Sequence, residues 1–375
     1  MTGPLSGLLV ADFTRVLAGP YATMMLADMG AEVVKVERPG AGDETRAWTP
    51  PVGPIGVSTY FGSVNRNKRS IVADLADPAD LTVVTDLVAH ADVVIENFRP
   101  GTLQRHGLGP SDVELLNSRA IYCSISGFGA GSGAGMPGFD LLVQAMGGLM
   151  SITGADSEHP TKVGVALVDI VTGLHALSGI LAALHARENT GRGQRIEVDL
   201  LSSLLSSLTN QAGAWLEAGR VPAPLGNQHP SIAPYETYRA ADRDVAIAVG
   251  TDAQFKQLAD DLNLPELSGD ERFATNSARV AHRAELNAKL APAFATRTAG
   301  EWTERLSARS VPAGPINTLP DAFALAERLG LEPVVELAGS RSVANPIRFS
   351  ATPVGYVSPP PTLPDRSATT WRDLT

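Results

Sequence analysis

The chain has 375 residues, 44% of them hydrophobic, and a formal net charge of -10. This size allows a large buried core, in two domains or in one large domain with an insertion. The acidic balance argues against broad nucleic-acid binding, because a phosphate backbone needs a concentrated basic surface. The single cysteine, Cys123, excludes an internal disulfide and favours a reducing compartment.

No basic segment followed by a long apolar core opens the chain, and no apolar run predicts a bilayer span. We therefore expect a cytoplasmic protein that has no membrane partner and no nucleic-acid partner. The seven histidines show no metal-binding spacing, and no G-x-S-x-G motif is present. Metal chemistry and serine hydrolysis are disfavoured accordingly, so we predict no metal site.

Strand and helix patterns alternate over the first 125 residues. Strands are predicted at 8–13, 31–37, 70–74, 92–98 and 121–125. Helices are predicted over 20–29, after Asp77 as N-cap with Pro78, and after a capping box at Ser111 to Glu114. Repeated βα units predict a parallel sheet with right-handed crossovers and helices on both faces.

The pattern after residue 125 predicts a glycine-rich loop, two long helices and then a second, smaller domain. Residues 127–138 are glycine-rich and predict a loop that closely approaches another group. Helices are predicted over 168–187 and 199–217, a strand over 194–198, and a linker over 222–234. A strand at 245–249 and helices over 251–262 and 279–295 indicate a smaller α/β domain. The proposed domains are 1–220, 221–325 and a return segment 326–375, whose tail from Pro353 is extended and packs on the large domain.

Ligands of an open α/β sheet bind at the carboxyl ends of its strands. The turn after the first strand lacks G-x-G-x-x-G, so an ordinary dinucleotide-dependent dehydrogenase is disfavoured. Glu37 and Arg38 end the second strand, where an acidic residue suits a ribose and an arginine suits a phosphate. Further basic residues follow strand ends: Arg66, Lys68, Arg69, Arg99 and Arg105. They fit a phosphorylated adenosine, or else a solvated face with surface ion pairs.

Asp169 stands in the apolar run Val163-Gly-Val-Ala-Leu-Val-Asp-Ile-Val171. One interpretation is that it caps the helix that runs to Arg187. The other is a nucleophile in a largely dry pocket, where the small residues Gly173 and Gly179 admit a ligand. The local sequence leaves both open.

Several motifs together resemble the class III CoA-transferase family, which also contains α-methylacyl-CoA racemases. They are Phe13-Thr-Arg-Val-Leu-Ala-Gly-Pro20, Leu26-Ala-Asp-Met-Gly-Ala-Glu32, Asn67-Lys-Arg-Ser70, Glu96-Asn-Phe-Arg-Pro-Gly101, Gly138-Phe-Asp140, Gln144-Ala-Met-Gly-Gly148, Gly226-Asn-Gln-His-Pro230 and Val311-Pro-Ala-Gly-Pro-Ile316. They follow the family's order over nearly the whole chain.

This resemblance implies a Rossmann-like large domain, a smaller domain and an interlocked homodimer. It implies CoA and acyl-CoA as substrates, no permanently bound cofactor, and Asp169 as the catalytic aspartate. The implied CoA contacts are Val16, Leu17, Arg38, Lys68, Arg69, Asn97 and Arg105. The implied substrate-pocket residues are Phe139, Asp140, Gln144, Gly226 and Asn227.

The implied reaction moves CoA from an acyl-CoA donor to a carboxylic acid through anhydride and aspartyl-CoA thioester intermediates. A racemase is the main alternative, but its members place a histidine where Phe139 stands, and a phenyl ring cannot carry a proton. Oxalate-handling members carry glutamine at the position of Leu17, so oxalate is not implied. A CoA-binding protein without turnover is a third alternative that no residue favours.

Overall fold

The computed structural model describes residues 3–365 and 370–373. The chain divides into two compact bodies. The larger body comprises the chain up to Leu149, Lys162–Arg220 and the chain from Glu332 onward, and the smaller body comprises Met150–Thr161 and Val221–Leu331.

Eleven strands occur in the described residues. They are β1 Leu9–Asp12, β2 Glu32–Glu37, β3 Lys68–Val72, β4 Val93–Glu96, β5 Ile121–Ser126, β6 Arg195–Asp199, β7 Tyr235–Arg239, β8 Asp244–Ala248, β9 Ala313–Pro315, β10 Val334–Leu337 and β11 Ser340–Val343.

Thirteen α-helices occur in the same residues. They are α1 Ala18–Asp28, α2 Thr59–Ser63, α3 Pro78–His90, α4 Pro110–Leu116, α5 Asp140–Met146, α6 Leu167–Thr190, α7 Leu200–Ser207, α8 Thr209–Ala218, α9 Asp252–Asp261, α10 Asn276–Ala281, α11 Arg283–Phe294, α12 Ala299–Ser307 and α13 Leu319–Arg328. Short 3₁₀ helices cover Glu44–Ala47, Leu103–His106, Met150–Ile152, Pro265–Gly269 and Trp371–Asp373.

A six-stranded sheet in the order β3-β2-β1-β4-β5-β6 forms the centre of the larger body, and all its pairs are parallel. The predicted parallel α/β sheet is confirmed. Successive strand residues face opposite layers, as the pleat requires. Val10 and Val33 pack in one apolar core with residues of α1 and α6, whereas Ala11 and Val34 pack in the other with residues of α3.

Helix α6 is the longest element, with 24 residues. An 18-residue window of this helix has a mean hydropathy of 1.8, and by length and composition the helix could cross a membrane, contrary to the expectation that no run is long and apolar enough. In this structure it packs as a core helix against α1 and the sheet, with Val168, Ala176 and Ile180 buried. Core helices of globular proteins meet the same length and hydropathy criteria, so the pattern alone does not indicate a membrane.

The smaller body is built on the antiparallel sheet β7-β8-β9. Its core centres on aromatic packing, because Phe294 stacks on Tyr238 with ring centroids 4.6 Å apart and meets Trp302 edge-on at 5.4 Å. The indole N–H of Trp302 donates to the Phe294 carbonyl, so burial leaves no unpaired donor there.

Two local predictions differ from the structure, and a third agrees with it. Helix α4 begins at Pro110 with Gly109 as N-cap, and Asp112 rather than Ser111 supports it by accepting from the Gly109 N–H. The predicted helix 199–217 is divided between α7 and α8, with Thr209 at a φ of 37°. Residues 353–365 form neither helix nor strand, as predicted, and both Gly355 and Ser358 hydrogen-bond to Asn67.

Candidate active site

A cavity of about 370 Å³ lies at the carboxyl ends of β1, β4 and β5 in the larger body. The sheet order changes direction between β1 and β4, the place where open α/β sheets bind ligands. Three strand-end turns and the glycine-rich loop line it, together with Asp169. The lining residues are Arg15, Val16, Leu17, Ala18, Glu44, Trp48, Asn97, Phe98, Arg99, Pro100, Ile125, Ser126, Gly127, Phe128, Gly129, Gly133, Ala134, Met136, Pro137, Gly138, Phe139, Asp169 and Leu200.

Asn97 connects the turn after β1 with the turn after β4. Its amide nitrogen donates to the Arg15 carbonyl at 2.7 Å, and its amide oxygen accepts from the Arg15 N–H at 2.8 Å. The next residue, Val16, has a φ of 70°, a left-handed conformation that is strained for a β-branched side chain. Leu17 follows as the buried N-cap of α1. These three predicted CoA contacts therefore shape one rigid wall of the cavity.

Asp169 lies in the first turn of α6 and lines the cavity, half-buried. It is not the N-cap, because Ala166 occupies that position without a side-chain cap. Among the described residues, no group donates a hydrogen bond to its carboxylate, although its backbone N–H donates to Asp140. The capping interpretation is therefore wrong for this side chain, which is left free to meet a ligand.

Asp140 and Gln144 position this turn of α6. Asp140 Oδ1 accepts the Val168 N–H at 2.9 Å and the Asp169 N–H at 3.4 Å, so α5 supplies the cap that Ala166 lacks. The Gln144 side chain donates to Asp140 Oδ2 at 2.7 Å and accepts from the Val163 N–H at 2.9 Å. Both predicted pocket residues thus act on the segment that carries Asp169, and neither lines the cavity.

The pKa of Asp169 is raised to about 7, first by burial and then by the charge of Asp140. A position in the first turn of a helix favours the carboxylate form, but here desolvation and like charge prevail. A carboxylate whose pKa is raised in this way is more basic and more reactive than a solvated aspartate.

Phe139 and residues of the glycine-rich loop also line the cavity. The Phe139 ring is 56% exposed and lines the cavity together with Asp169. The loop ends meet at Gly127 and Gly138, and a Cβ added at Gly138 would lie 2.5 Å from the Gly127 Cα. The close approach predicted for this loop is therefore between its own two ends.

Gly173 and Gly179 serve packing. A Cβ at Gly173 would lie 2.5 Å from the Ala18 carbonyl oxygen, and one at Gly179 would lie 3.2 Å from Ile196. The interpretation that these glycines admit a ligand is wrong, because α1 and β6 occupy the space beside them.

Two basic residues around the start of β3, Arg66 and Lys68, lie inside the protein. Arg66 pairs with Asp28 through two bonds of 2.6 and 3.0 Å. The Lys68 ammonium donates to Asp12, to the Pro20 carbonyl and to Asn65 at 2.8 to 3.1 Å. Burial lowers the pKa of Lys68 to about 8 despite Asp12. All three donors of this predicted CoA contact are already used.

Glu37 and Arg38, the two predicted ligand contacts at the end of β2, differ in how far protein groups occupy them. Glu37 accepts from Arg46 at 2.6 and 2.7 Å and from Ser70 at 2.6 Å, so its carboxylate is occupied within the protein. Arg38 is more open: its side chain is 53% exposed, donates to the Gly42 carbonyl and lies 3.7 Å from Glu44.

None of the remaining predicted contacts is among the residues that line this cavity in the described chain. Arg69 forms an ion pair with Glu32. Arg105 is exposed in the 3₁₀ helix Leu103–His106. Gly226 and Asn227 belong to the smaller body, where Asn227 donates to Thr237 and lines a cavity beside β7, β8 and β9.

Three site residues were missed from the sequence. Arg15 and Trp48 line the cavity. Tyr60 meets Trp48 edge-on at 4.9 Å, and the pKa of Tyr60 is raised to about 12 by burial and then by Asp169. Arg15 follows the first strand directly, a position that could have drawn attention to it. For the two aromatic residues, which lie far from Asp169 in sequence, no comparable signal exists.

Residues 5–366 match the model of CoA-transferase family III. The chain belongs to this family. A succinate–glutarate CoA-transferase of Agrobacterium fabrum is 43% identical, with coverage of 99% of this chain and 96% of the relative. An acetyl-CoA:oxalate CoA-transferase of Acetobacter aceti is 40% identical, with coverage of 95% and 91%. The crystal structure of a CAIB/BAIF family protein from Brucella suis is 43% identical, covers 97% of both chains and has a TM-score of 0.88.

These relatives confirm the predicted transferase family and its class of reaction, the exchange of CoA between acyl-CoA and carboxylic acids. Phe139 lines the cavity, and no histidine lines it within the described residues. The cytoplasmic location, and the lack of membrane and nucleic-acid partners, stay predictions.

Proposed function

We propose that this chain transfers CoA from an acyl-CoA donor to a carboxylic acid with Asp169 as the nucleophile. The observation that carries the proposal is a carboxylate without hydrogen-bond donors, with a raised pKa, on the wall of the strand-end cavity. Family membership supplies the substrate class.

Four substitutions at acyl carbon complete the reaction. The Asp169 carboxylate attacks the donor thioester and expels CoA thiolate, which leaves a mixed anhydride. The thiolate attacks the aspartyl carbonyl, releases the donor acid and forms an aspartyl-CoA thioester. The acceptor carboxylate then attacks this thioester and expels thiolate to form a second anhydride. Finally the thiolate attacks the acceptor's acyl carbon, which yields the new thioester and restores Asp169.

The surroundings of Asp169 suit these steps. Water would hydrolyse each activated intermediate, and the apolar wall that contains Leu17, Phe139 and Leu200 limits its access. Gly133 of the loop lines the same cavity, and its backbone N–H is of the type that stabilises tetrahedral oxyanions.

We propose dicarboxylic acids as the substrates. Succinate, glutarate and oxalate, which appear in the names of the relatives, all carry two carboxyl groups. Within the described residues, the cavity is lined by two arginines, Arg15 and Arg99, which suit a substrate that keeps a second negative charge.

CoA is proposed to lie along the turn of Val16, Leu17 and Asn97, with its phosphates near Arg38 and Arg105, whose side chains are open to solvent. Contacts between Arg69 and CoA stay a prediction. Lys68 is buried, so it would affect CoA binding only indirectly, through the core beneath the site.

We further propose an interlocked homodimer. Large apolar side chains exposed on the single chain, such as Trp215, Leu216 and Val221, support a protein partner. Light scattering should give twice the 39.2 kDa chain mass.

The nucleophile is tested by trapping. Incubation with acyl-CoA followed by hydroxylamine should convert Asp169 to its hydroxamate, which peptide mass spectrometry detects. Asp169→Ala should lower transfer by more than about 1000-fold, because every step passes through this carboxyl group, while CoA binding measured by calorimetry is retained.

Asp169→Asn serves as the matched control, since it keeps the side chain's size and must give no trapped product. Label on another carboxylate during turnover, or transfer by Asp169→Ala at the wild-type rate, contradicts the proposal. Deuterium entry at the α-carbon without CoA exchange would select the racemase alternative.

A further inference from the structure

Arg15 is a half-buried cation that its protein partners do not saturate. It lies in the turn after β1, lines the Asp169 cavity and keeps 32% of its side chain exposed. Its guanidinium lies over the Phe98 ring, 4.6 Å from the centroid, and one nitrogen, Nη1, pairs with Glu44 at 2.7 Å. Stacking and one ion pair therefore fix the orientation of the group.

The remaining donors of Arg15 are unused within the described residues. Its Nε–H is buried without a partner, and so is Oε2 of Glu44. These two atoms are closed to the cavity, whereas the other terminal nitrogen of Arg15, Nη2, is accessible and forms no hydrogen bond in the described part of the chain, so it can donate to a ligand. A guanidinium presents several N–H groups in a planar fork that matches a carboxylate through two parallel bonds.

The charges along the cavity favour an anion at this position. Arg15 and Arg99 are the basic residues among the described lining, and Arg99 is exposed at the rim. Glu44 offsets one positive charge, but Arg38 lies 3.7 Å from the same carboxylate. The neighbourhood of Arg15 thus keeps an excess of positive charge, apart from the carboxylate of Asp169.

We propose that Arg15 binds the distal carboxylate of a dicarboxylic acid whose other carboxyl group reacts at Asp169. The inference rests on the proposed function and identifies the residue that distinguishes dicarboxylic from monocarboxylic acids. The alternative is that Arg15 binds a phosphate of CoA, in which case it would serve all acids equally.

Acceptor specificity separates these possibilities. With one fixed acyl-CoA donor, kcat/KM is measured for glutarate and for pentanoate, which has the same five-carbon chain but one carboxyl group. Wild type should prefer glutarate. Arg15→Gln should lower kcat/KM for glutarate by roughly 10- to 100-fold, the loss expected for a charge-assisted hydrogen-bonded pair, and leave pentanoate within about twofold.

Two further variants serve as controls. Arg15→Lys keeps the charge without the fork and should recover part of the preference. Arg192→Gln removes an exposed arginine that pairs with Glu114 at the surface. It should leave kcat/KM unchanged for both glutarate and pentanoate. Circular dichroism and thermal melting establish that Arg15→Gln is folded.

Equal losses for both acids, or no loss for glutarate, overturn the inference while transfer itself still supports the proposed function. A wild type that does not prefer glutarate to pentanoate overturns the inference without any variant. Absence of CoA exchange with every acid, together with absence of trapping at Asp169, instead overturns the proposed function.

Discussion

Two aspartates of the larger body, Asp12 and Asp169, are both withdrawn from water but have opposite surroundings. Asp12 ends β1 fully buried, and its oxygens accept from the Thr14 N–H at 2.9 Å, from the Thr23 hydroxyl at 2.7 Å and from Lys68 at 3.1 Å. Although burial acts to raise it, these partners hold the pKa of Asp12 below its usual value.

Asp169 has none of these partners. Its pKa is raised to about 7 because burial and Asp140 act in the same direction and no donor opposes them. The difference teaches how this chain uses buried charge. A fully paired carboxylate holds strands and helices together, whereas an unpaired carboxylate beside a cavity can still interact with a ligand.

The comparison predicts that Asp12→Ala damages the fold most. Removal of this carboxylate leaves the Lys68 ammonium buried without its counter-charge and the Thr14 hydroxyl without an acceptor. The free energy of unfolding should fall by about 3–5 kcal/mol, measured by urea denaturation followed by fluorescence.

Asp12→Asn sharpens this prediction because it keeps an oxygen acceptor but loses the charge. It should lose less stability than Asp12→Ala. A loss below about 1 kcal/mol for Asp12→Ala would show that the buried network is not needed, and it would remove the contrast between the two aspartates.

Asp169→Asn should have the opposite sign and make the protein more stable. With a folded pKa near 7 and an ordinary unfolded pKa near 4, the ionised carboxylate costs nothing below about pH 4. Its cost then grows up to about pH 7 and stays constant above it. The neutral amide removes this cost, so stability should rise by about 1–3 kcal/mol at pH 8.

The same variant should come close to wild type near pH 4, where the Asp169 carboxyl is protonated in the folded state and about half protonated in the unfolded state. Thermal melting at pH 4, 6 and 8 checks this trend. A gain that does not depend on pH, or a loss at pH 8, would mean that the Asp169 carboxylate is stabilised by the fold.

Much of the fold follows from local sequence. The β-branched runs and the Asp77-Pro78 helix start predicted the alternation of strands and helices, and Asp77 accepts from the Ala79 N–H as N-cap of α3. The start of α4 was misplaced because Gly109, Pro110 and Asp112 together formed a stronger helix start than Ser111. The division of the predicted helix 199–217 carried no glycine or proline signal at Thr209.

The site was predictable only in part, since its logic depends on contacts across the chain. Asp169 stands out in an apolar run, and Asp140 was recognised as a motif. That Asp140 caps α6 from α5 is a contact between residues 29 positions apart. Lys68 looked like a phosphate contact because sequence does not show that Asp12 lies 3.1 Å away. Whether a charged residue belongs to the core or to the cavity depends on its ion pairs and hydrogen bonds. These are tertiary contacts, which local sequence does not show.

The smallest expected effect comes from Asp140→Asn, which tests how the pKa of Asp169 is set. The amide oxygen can still cap the Val168 N–H, but the negative charge is lost. Because this charge contributes to the raised pKa of Asp169, its removal should lower that pKa.

The measurement is the pH profile of kcat/KM for the acyl-CoA donor. Its acidic limb, for which we expect a midpoint near 7 in wild type, should move to lower pH in the variant. Burial is the larger cause, so the midpoint should remain above that of an ordinary aspartate. Asp112→Asn, at the first turn of α4, is the matched control and should leave the midpoint unchanged. A midpoint that stays in place in Asp140→Asn would show that desolvation alone raises the pKa, and one that moves to higher pH would mean that Asp140 stabilises the Asp169 carboxylate by ordering α6.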